Sequence, residues 1–219
     1  MTLLSPPYDP AEIVRLGSEQ LGISLSDHAV QRMLRHMQLV QKWNARVDLT
    51  ALTESRQMAV LHFLDSLTVT KVLPNICSAR VLDIGTGAGF PGVVLGSMCD
   101  ALDLILLDRN PAKIVFLKYV IKELGLSRVR FLHTAIGPLL RVPGTVICDV
   151  IVSRAFSSDA PLMDSLHVLL RDDGYLVRMT GPSALEDAFV LTHFRVVDVW
   201  EGILPFSTRF RRVVLYKKM

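Results

Sequence analysis

The chain has 219 residues, 24 Lys and Arg against 21 Asp and Glu for a net charge of +3, and 50% hydrophobic residues. This composition excludes disordered, collagen-like and disulfide-scaffold chains, and no apolar stretch reaches the ~18 residues of a membrane-spanning helix. The net charge is too small to indicate a nucleic-acid partner by itself.

The first third of the chain has the pattern of helices. Ser26 and Asp27 are typical N-cap residues and precede apolar side chains at helical spacing. A further helix is predicted over Arg56–Val72, and the polar connection before it, Trp43–Thr53, is rich in distinctive residues. We therefore expect residues 1–75 to form a helical extension packed on the rest of the chain.

From residue 80 onward, short apolar runs alternate with helical patterns, as in βαβ units around a parallel sheet. Strands are predicted at Arg80–Ile84, Leu102–Leu107, Val129–His133, Asp149–Val152, Tyr175–Met179, Arg195–Trp200 and Arg212–Tyr216. Helices are predicted at Val93–Met98, Ala112–Leu124 and Pro161–Leu170, and a shorter run follows at Glu186–Leu191. No helix separates the last two strands, so they should be antiparallel. Residues 76–219 are thus predicted to be a Rossmann-like α/β domain whose seven-stranded, mostly parallel sheet ends in an antiparallel hairpin.

The cysteines argue against two kinds of site. Cys77, Cys99 and Cys148 are odd in number and contain no Cys-x-x-Cys pair, so neither a disulfide framework nor a thiolate zinc site is expected. Three buried free thiols are predicted instead. The histidines show no metal-ligand spacing, and residues 1–10 show no secretory signal, so we expect no metal and a cytoplasmic location.

A glycine-rich turn follows the first predicted strand and opens a helix. Glycines at such spacings let the chain turn tightly and bring backbone amides close to a ligand. The spacing fits two cofactors, because both a dinucleotide G-x-G-x-x-G and the D-x-G-x-G-x-G of S-adenosylmethionine-dependent methyltransferases can be read from Asp83, Gly85, Gly87, Gly89 and Gly92. Asp108, at the end of the next strand, would hold ribose hydroxyls of either cofactor. The terminal hairpin favours the methyltransferase.

Four segments make the match more specific. They are Trp43-Asn44 with Asp48-Leu49-Thr50, His62–Leu67, Gly89–Gly92 and Val152–Phe156. In this order and spacing the chain resembles, over Ala11–Lys217, the glucose-inhibited division protein B family. Members of that family methylate N7 of one guanine in small-subunit (16S) ribosomal RNA. The resemblance implies a class I methyltransferase fold with S-adenosylmethionine as cofactor.

The resemblance also assigns site residues. Beside the turn residues Asp83, Gly85, Gly87 and Gly89, the cofactor pocket would include Phe90, Asp108, Ala135, Ile136 and Arg154. Guanine N7 carries a lone pair and no proton, so alignment would replace a general base. The candidates for orienting the guanine are His62, Asp65, Ser66 and Arg154.

RNA contacts are expected from two groups of arginines. They are Arg32, Arg35 and Arg46 in the N-terminal helices, and Arg209, Arg211 and Arg212 near the last strand. The expected partner is small-subunit ribosomal RNA or the 30S particle, with no membrane and no obligate protein partner, and the chain is expected to act as a monomer.

Four positions depart from the family pattern. Asp48 replaces an Asn, Leu61 an Arg, Ile136 an acidic residue and Thr180 a Lys. These departures leave open a same-fold methyltransferase with a different acceptor. A non-catalytic RNA-binding protein with a decayed cofactor site is disfavoured by the intact turn, and a dinucleotide oxidoreductase by Asp83 and the hairpin.

Overall fold

The computed structural model describes residues 8–73, 75–135, 147–154, 160–181 and 192–219. Seven strands form one sheet in the order β3-β2-β1-β4-β5-β7-β6. The strands are β1 (Arg80–Ile84), β2 (Asp103–Asp108), β3 (Val129–His133), β4 (Cys148–Ser153), β5 (Leu170–Thr180), β6 (Phe194–Ile203) and β7 (Phe210–Lys218). The helices are α1 (Pro10–Gln20), α2 (Asp27–Val47), α3 (Ser55–Met58), α4 (Asp65–Leu67), α5 (Gly92–Met98), α6 (Pro111–Glu123) and α7 (Ala160–Leu169).

The sheet confirms the predicted topology. Strands β1 to β5 pair in parallel, and β7 pairs antiparallel with both β5 and β6. The central strands β1, β2 and β4 are buried on both faces, as expected for strands covered by helices. The antiparallel β7 between β5 and β6 differs from the order 3-2-1-4-5-6 of dinucleotide-binding sheets. The predicted run Glu186–Leu191 lies outside the described residues.

The N-terminal helices begin at the expected signals and share the core of the sheet. Asp9 and Glu12 form a reciprocal capping box at the start of α1, and Ser26 accepts a hydrogen bond from Ala29 N at the start of α2. One cluster of buried side chains includes Ile13 of α1 and Val81 of β1. No helix in the described part of the chain is long and apolar enough to cross a bilayer.

The helical segment after residue 55 is not a uniform α-helix. Between α3 and α4 lies a π-helical turn, Ala59–Leu64, in which Asp65 N donates to Val60 O five residues earlier. The hydroxyl of Ser66 donates to His62 O at 2.6 Å, which engages a carbonyl of the widened turn. A 3₁₀ turn, Thr68–Lys71, ends the segment. Such π turns frequently occur at functional sites, and this one carries His62.

The prediction of three free thiols is wrong for two of the cysteines, which form a disulfide. Cys77 precedes β1 and Cys99 caps α5, and their sulfurs form a disulfide with the Cα atoms 5.2 Å apart. The two residues meet because α5 returns along the sheet to the amino end of β1, a relation that their spacing of 22 residues does not reveal. Cys148 is a buried free thiol, as predicted, and burial raises its pKa to about 12.

The end of α2 yields a stability prediction. Asp48 is the C-cap, with φ +49 in the left-handed region, and its carboxylate lies at the negative end of the helix dipole. We expect Asp48→Asn to raise the free energy of unfolding by about 0.3–1 kcal/mol, because it removes this charge and asparagine tolerates the conformation. Urea unfolding at neutral pH measures the change.

A matched variant at the other end of α2 should have the opposite sign. Asp27 lies in the first turn of α2 and pairs with Arg15 at 2.6 Å. Asp27→Asn is therefore expected to lower the free energy of unfolding. Equal signs for the Asp27 and Asp48 variants would contradict the helix-dipole explanation.

Candidate functional site

The glycine-rich turn between β1 and α5 leaves an open cradle. Gly85 and Gly87 adopt φ values of +65° and +58°, which residues with side chains rarely adopt. A Cβ on Gly85 would meet nothing within 4 Å, and one on Gly87 only Gly85 O at 3.8 Å. Thr86 N of the turn donates a hydrogen bond to Leu107 O, which attaches the turn to β2. A ligand can therefore approach the backbone closely at both glycines.

Asp83 shapes this turn from inside the protein. Its side chain is fully buried, and Oδ2 accepts a hydrogen bond from Gly92 N at 2.8 Å. Burial raises the pKa of Asp83 to about 6, although the hydrogen bond from Gly92 N favours its charged form. The predicted cofactor residue Asp83 thus supports the cradle rather than lining its open side.

Asp108 lies beside the cradle at the end of β2. Its Oδ2 accepts from Gly87 N at 2.9 Å and its Oδ1 from Asn110 N at 2.8 Å. Asn110, rather than Asp108, caps α6. Ala135 follows β3 and is exposed, whereas Ile136 lies outside the described residues. The structure therefore brings an open glycine cradle and a carboxylate together, which fits a cofactor with a ribose.

Phe90 joins the turn to the N-terminal helices through an aromatic cluster. Its ring stacks on His36 with centroids 4.9 Å apart and on His62 with centroids 4.5 Å apart. His36 Nε2 and the Ala88 carbonyl oxygen of the turn are hydrogen-bonded at 2.7 Å. Burial lowers the pKa of His36 to about 4, so this ring is neutral near pH 7. Phe90 is itself buried, and its packing fixes the position of the π turn relative to the glycine turn.

His62 lies at the centre of a hydrogen-bond network. Its Nδ1 accepts from Arg154 Nη1 at 3.1 Å, so Nε2 carries the proton and donates to Thr50 Oγ1 at 2.8 Å. Asn44 orients Thr50, because its Oδ1 accepts from Thr50 N and its Nδ2 donates to Thr50 O. Burial, followed by the charge of Arg154, lowers the pKa of His62 to about 3. Both ring nitrogens are engaged, and the ring is neutral.

The buried neutral histidines predict an acid sensitivity. His36 has a pKa of about 4 in the folded protein and 6.5 when unfolded, so only the unfolded chain binds a proton between these values. The contribution of His36 to stability is complete above pH 6.5 and is lost as the pH falls toward 4. We expect the stability difference between the wild type and His36→Gln to shrink by roughly 2–3 kcal/mol between pH 7 and pH 4.5.

Urea unfolding of both proteins at the two pH values measures this change. Asp83 titrates in the opposite direction, because its pKa is raised to about 6, but it is present in both proteins and cancels in the difference. A difference that stays constant with pH would contradict the protonation account.

A cavity of about 350 Å³ opens beside Arg154. Its walls come from the loop after α2, the π turn and α4, the ends of β4 and β5, and the start of β7. The lining residues are Leu52, Leu61, His62, Asp65, Arg154, Met179, Thr180, Gly181, Arg209 and Arg211. The cavity thus lies at the carboxyl ends of β4 and β5, where open α/β sheets bind ligands.

An ion pair crosses this cavity. Asp65 is 2% exposed, and its Oδ1 accepts from Arg211 Nε at 2.9 Å. Burial raises the pKa of Asp65, and the charges of Arg211 and Arg154 oppose that rise. Arg154 also lies 5.6 Å above the Phe90 ring, so its guanidinium connects the cavity to the glycine turn.

Several of the remaining predicted site residues lie away from the cavity. Ser66 is buried, its hydroxyl is bonded within the helix, and it is not among the described residues that line the cavity. Arg32 pairs with Asp100 and Arg35 with Glu123, and these partners lie at the ends of α5 and α6 away from the cavity. Three further arginines are placed differently: Arg46 is exposed at the end of α2, Arg209 lines the cavity mouth, and Arg212 pairs with Glu201.

Sequence reasoning missed several roles. Thr50 and Asn44 were part of a recognised motif without a function, and Arg211 was expected to contact RNA rather than to pair with Asp65. The Trp-Asn-x-x-x-Asp-Leu-Thr segment was the sequence signal for Asn44 and Thr50. No local pattern connects Asp65 to a residue 146 positions away. Among the described residues, no three His, Cys, Asp or Glu side chains are grouped to hold a metal ion.

Comparisons with known proteins identify the family of this chain. The family model for GidB, described as rRNA small subunit methyltransferase G, matches residues 29–198. A protein named ribosomal RNA small subunit methyltransferase G from Acinetobacter baumannii is 35% identical over 203 residues, covering 93% of this chain and 95% of that protein. A protein of the same name from Alkaliphilus metalliredigens is 32% identical over 214 residues, covering 94% and 90%.

Solved structures share the fold at low identity. A SAM-dependent methyltransferase from Aquifex aeolicus matches with a TM-score of 0.53 and 19% identity, covering 65% of this chain and 83% of that one. A predicted O-methyltransferase from Agrobacterium tumefaciens matches with a TM-score of 0.56 and 15% identity, covering 70% and 80%. The predicted methyltransferase fold is therefore confirmed.

Proposed function

The chain belongs to the GidB family of rRNA small subunit methyltransferases G, and from this premise we propose that it methylates N7 of one guanine in small-subunit ribosomal RNA. The main observation behind this proposal is that Arg154 lies next to both the glycine turn and the cavity. This residue lies over Phe90 of the glycine turn and also lines the cavity. A methyl donor in the turn and a base in the cavity would then be adjacent.

S-adenosylmethionine is the cofactor of this family, and when bound it supplies an electrophilic methyl group on a sulfonium. The residues of the cradle fit it: Gly85 and Gly87 leave the backbone open, and Asp108 offers a carboxylate for the ribose. We propose that Asp83 and Gly89 maintain the turn, and that Phe90, Ala135, Ile136 and Arg154 complete the pocket.

The arrangement of His62 is compatible with a nucleophile that has no proton to lose. His62 is neutral and both of its ring nitrogens are engaged, so it is not available to remove a proton. Guanine N7 needs no such base, because its lone pair is already free. The chain's contribution is then to hold the base in line with the methyl group and to exclude water from the cavity.

RNA would approach at the cavity mouth. Leu61 and Thr180, which replace two cations of the family pattern, both line the cavity, and Arg209 and Arg211 supply positive charge to the same cavity. We propose Arg209 and the exposed Arg46 as phosphate contacts, with Arg211 and Arg212 behind them. Arg32 and Arg35, which are held by ion pairs, are weaker candidates.

We further propose that the chain acts as a monomer in the cytoplasm, on ribosomal RNA or the 30S particle, without an obligate protein partner. Light scattering of the purified protein, alone and with RNA, tests the oligomeric state.

The reaction is tested by incubating the protein with methyl-labelled S-adenosylmethionine and small subunits from a strain that lacks the family's enzyme. Nucleoside analysis should find the label in 7-methylguanosine. An RNA fragment with 7-deazaguanosine at the mapped position lacks the nucleophile and should remain unlabelled. Label in another nucleoside, or in the 7-deaza RNA, would refute the proposal.

A further inference from the structure

We propose that Asp65 is the residue that selects guanine, by accepting hydrogen bonds from the N1–H and the 2-amino group of the target base. This inference rests on the proposed function and adds the basis of its base specificity. Arg211 acts as a positioning residue that fixes the carboxylate.

The position of the carboxylate is the first argument. Asp65 lines the cavity from α4, and its side chain is 3% exposed. Arg211 reaches it from β7 on another wall and donates to Oδ1 at 2.9 Å. No described residue donates a hydrogen bond to Oδ2, so this carboxylate retains unused acceptor capacity inside the cavity.

Among the described side chains that line the cavity, Asp65 offers the charged acceptor. Arg154, Arg209 and Arg211 can only donate, and His62 has both nitrogens engaged. The Thr180 hydroxyl donates to Arg212 O. Among the described lining residues, Asp65 is the one carboxylate.

Guanine complements this arrangement. It presents two adjacent N–H donors, N1–H and the 2-amino group, on one edge and the acceptors O6 and N7 on another. A carboxylate accepts from the donor pair, while a guanidinium such as that of Arg154 donates to O6. Adenine and cytosine offer an acceptor where N1–H would be, so they would leave the buried carboxylate unsatisfied.

Removing the 2-amino group of the target base tests the inference without altering the protein. Inosine retains N7, O6 and N1–H but lacks the 2-amino group. For the wild type, kcat/KM should be roughly 10- to 100-fold lower on RNA with inosine at the target than on guanosine RNA, the value of one charged hydrogen bond. A ratio within twofold would overturn the inference.

Asp65→Asn assigns this preference to the carboxylate. The amide oxygen should stay with Arg211, which directs the NH₂ group toward the donors of the base. Activity on guanosine RNA should then fall to or below the wild-type activity on inosine RNA, and the guanosine-to-inosine ratio of the variant should be near one. A variant that retains the wild-type ratio would overturn the inference, whereas a merely structural role would lower both activities and leave the ratio unchanged.

Two further variants guard against misfolding. Arg211→Lys retains the positive charge but moves the donor, and it should also reduce the ratio. Asp164→Asn removes an exposed carboxylate on α7 and should change neither activity. If the wild type forms no 7-methylguanosine at all, the proposed function fails; if it forms 7-methylguanosine from guanosine RNA and 7-methylinosine from inosine RNA equally well, this inference alone fails.

Discussion

Replacement of Arg154 by lysine is expected to lower kcat/KM for methyl transfer by about 100-fold or more, the scale of losing one preorganised donor at a reacting centre. The Arg154 guanidinium donates to His62 Nδ1, lies 5.6 Å from the Phe90 centroid and lines the cavity. A lysine retains the charge but lacks the planar fork that reaches several partners together. The variant should therefore fold and still transfer methyl groups poorly.

The measurement is transfer of labelled methyl to RNA, together with calorimetric binding of S-adenosylmethionine and a urea unfolding curve. Arg209→Lys serves as the matched control, because Arg209 lines the same cavity but is exposed. We expect that control to change activity by less than about tenfold, because lysine retains the positive charge that contacts phosphate. Equal effects at the two positions would contradict the central role given to Arg154.

Gly92→Ala is expected to reduce the free energy of unfolding by about 2–4 kcal/mol and to weaken cofactor binding. A Cβ at this position would lie 2.6 Å from both Asp83 Oδ2 and Leu106 Cδ2. Asp83 is fully buried behind the glycine turn, so it has little room to move. Relieving the overlap would break the bond from Gly92 N to Asp83 and distort the cradle.

Gly96→Ala provides the comparison within the same helix. A Cβ there would meet only side-chain atoms of Leu104 and Leu126, at 3.4 and 3.5 Å, which is ordinary contact. Because alanine favours helices over glycine, this variant should be neutral or more stable by up to about 1 kcal/mol. Urea unfolding and calorimetry of both variants decide the matter, and a Gly92→Ala protein as stable as the wild type would disprove the steric argument.

Much of the fold could be predicted because its signals are local. The bounds of β1 and β3 match the predicted ones, since each strand is a short run rich in branched and aromatic apolar residues. The predicted start of β5, Tyr175, is five residues too late, because the strand begins at Leu170, directly after α7. The intervening residues include the acidic pair Asp172-Asp173, and Asp173 has a φ of +63°, yet the strand continues through it.

The site was predictable in its motifs and not in its long-range contacts. The glycine turn and Asp108 follow from spacing, because each sits at the end of a strand. The pairing of Asp65 with Arg211 depends on β7 lying beside β5, and that neighbour relation is set by the whole sheet. The Cys77–Cys99 disulfide has the same origin, since it requires the return of α5 along β1.

The position of β7 also has a consequence for synthesis of the chain. β7 follows every other strand in sequence, yet it lies inside the sheet between β5 and β6. While a ribosome is still making residues 204–219, β5 and β6 have no partner between them, and Arg211 has not reached Asp65. A nascent or prematurely terminated chain would hence carry a complete glycine turn beside an unfinished acceptor cavity. Methyl transfer would become possible only once the final strand is in place.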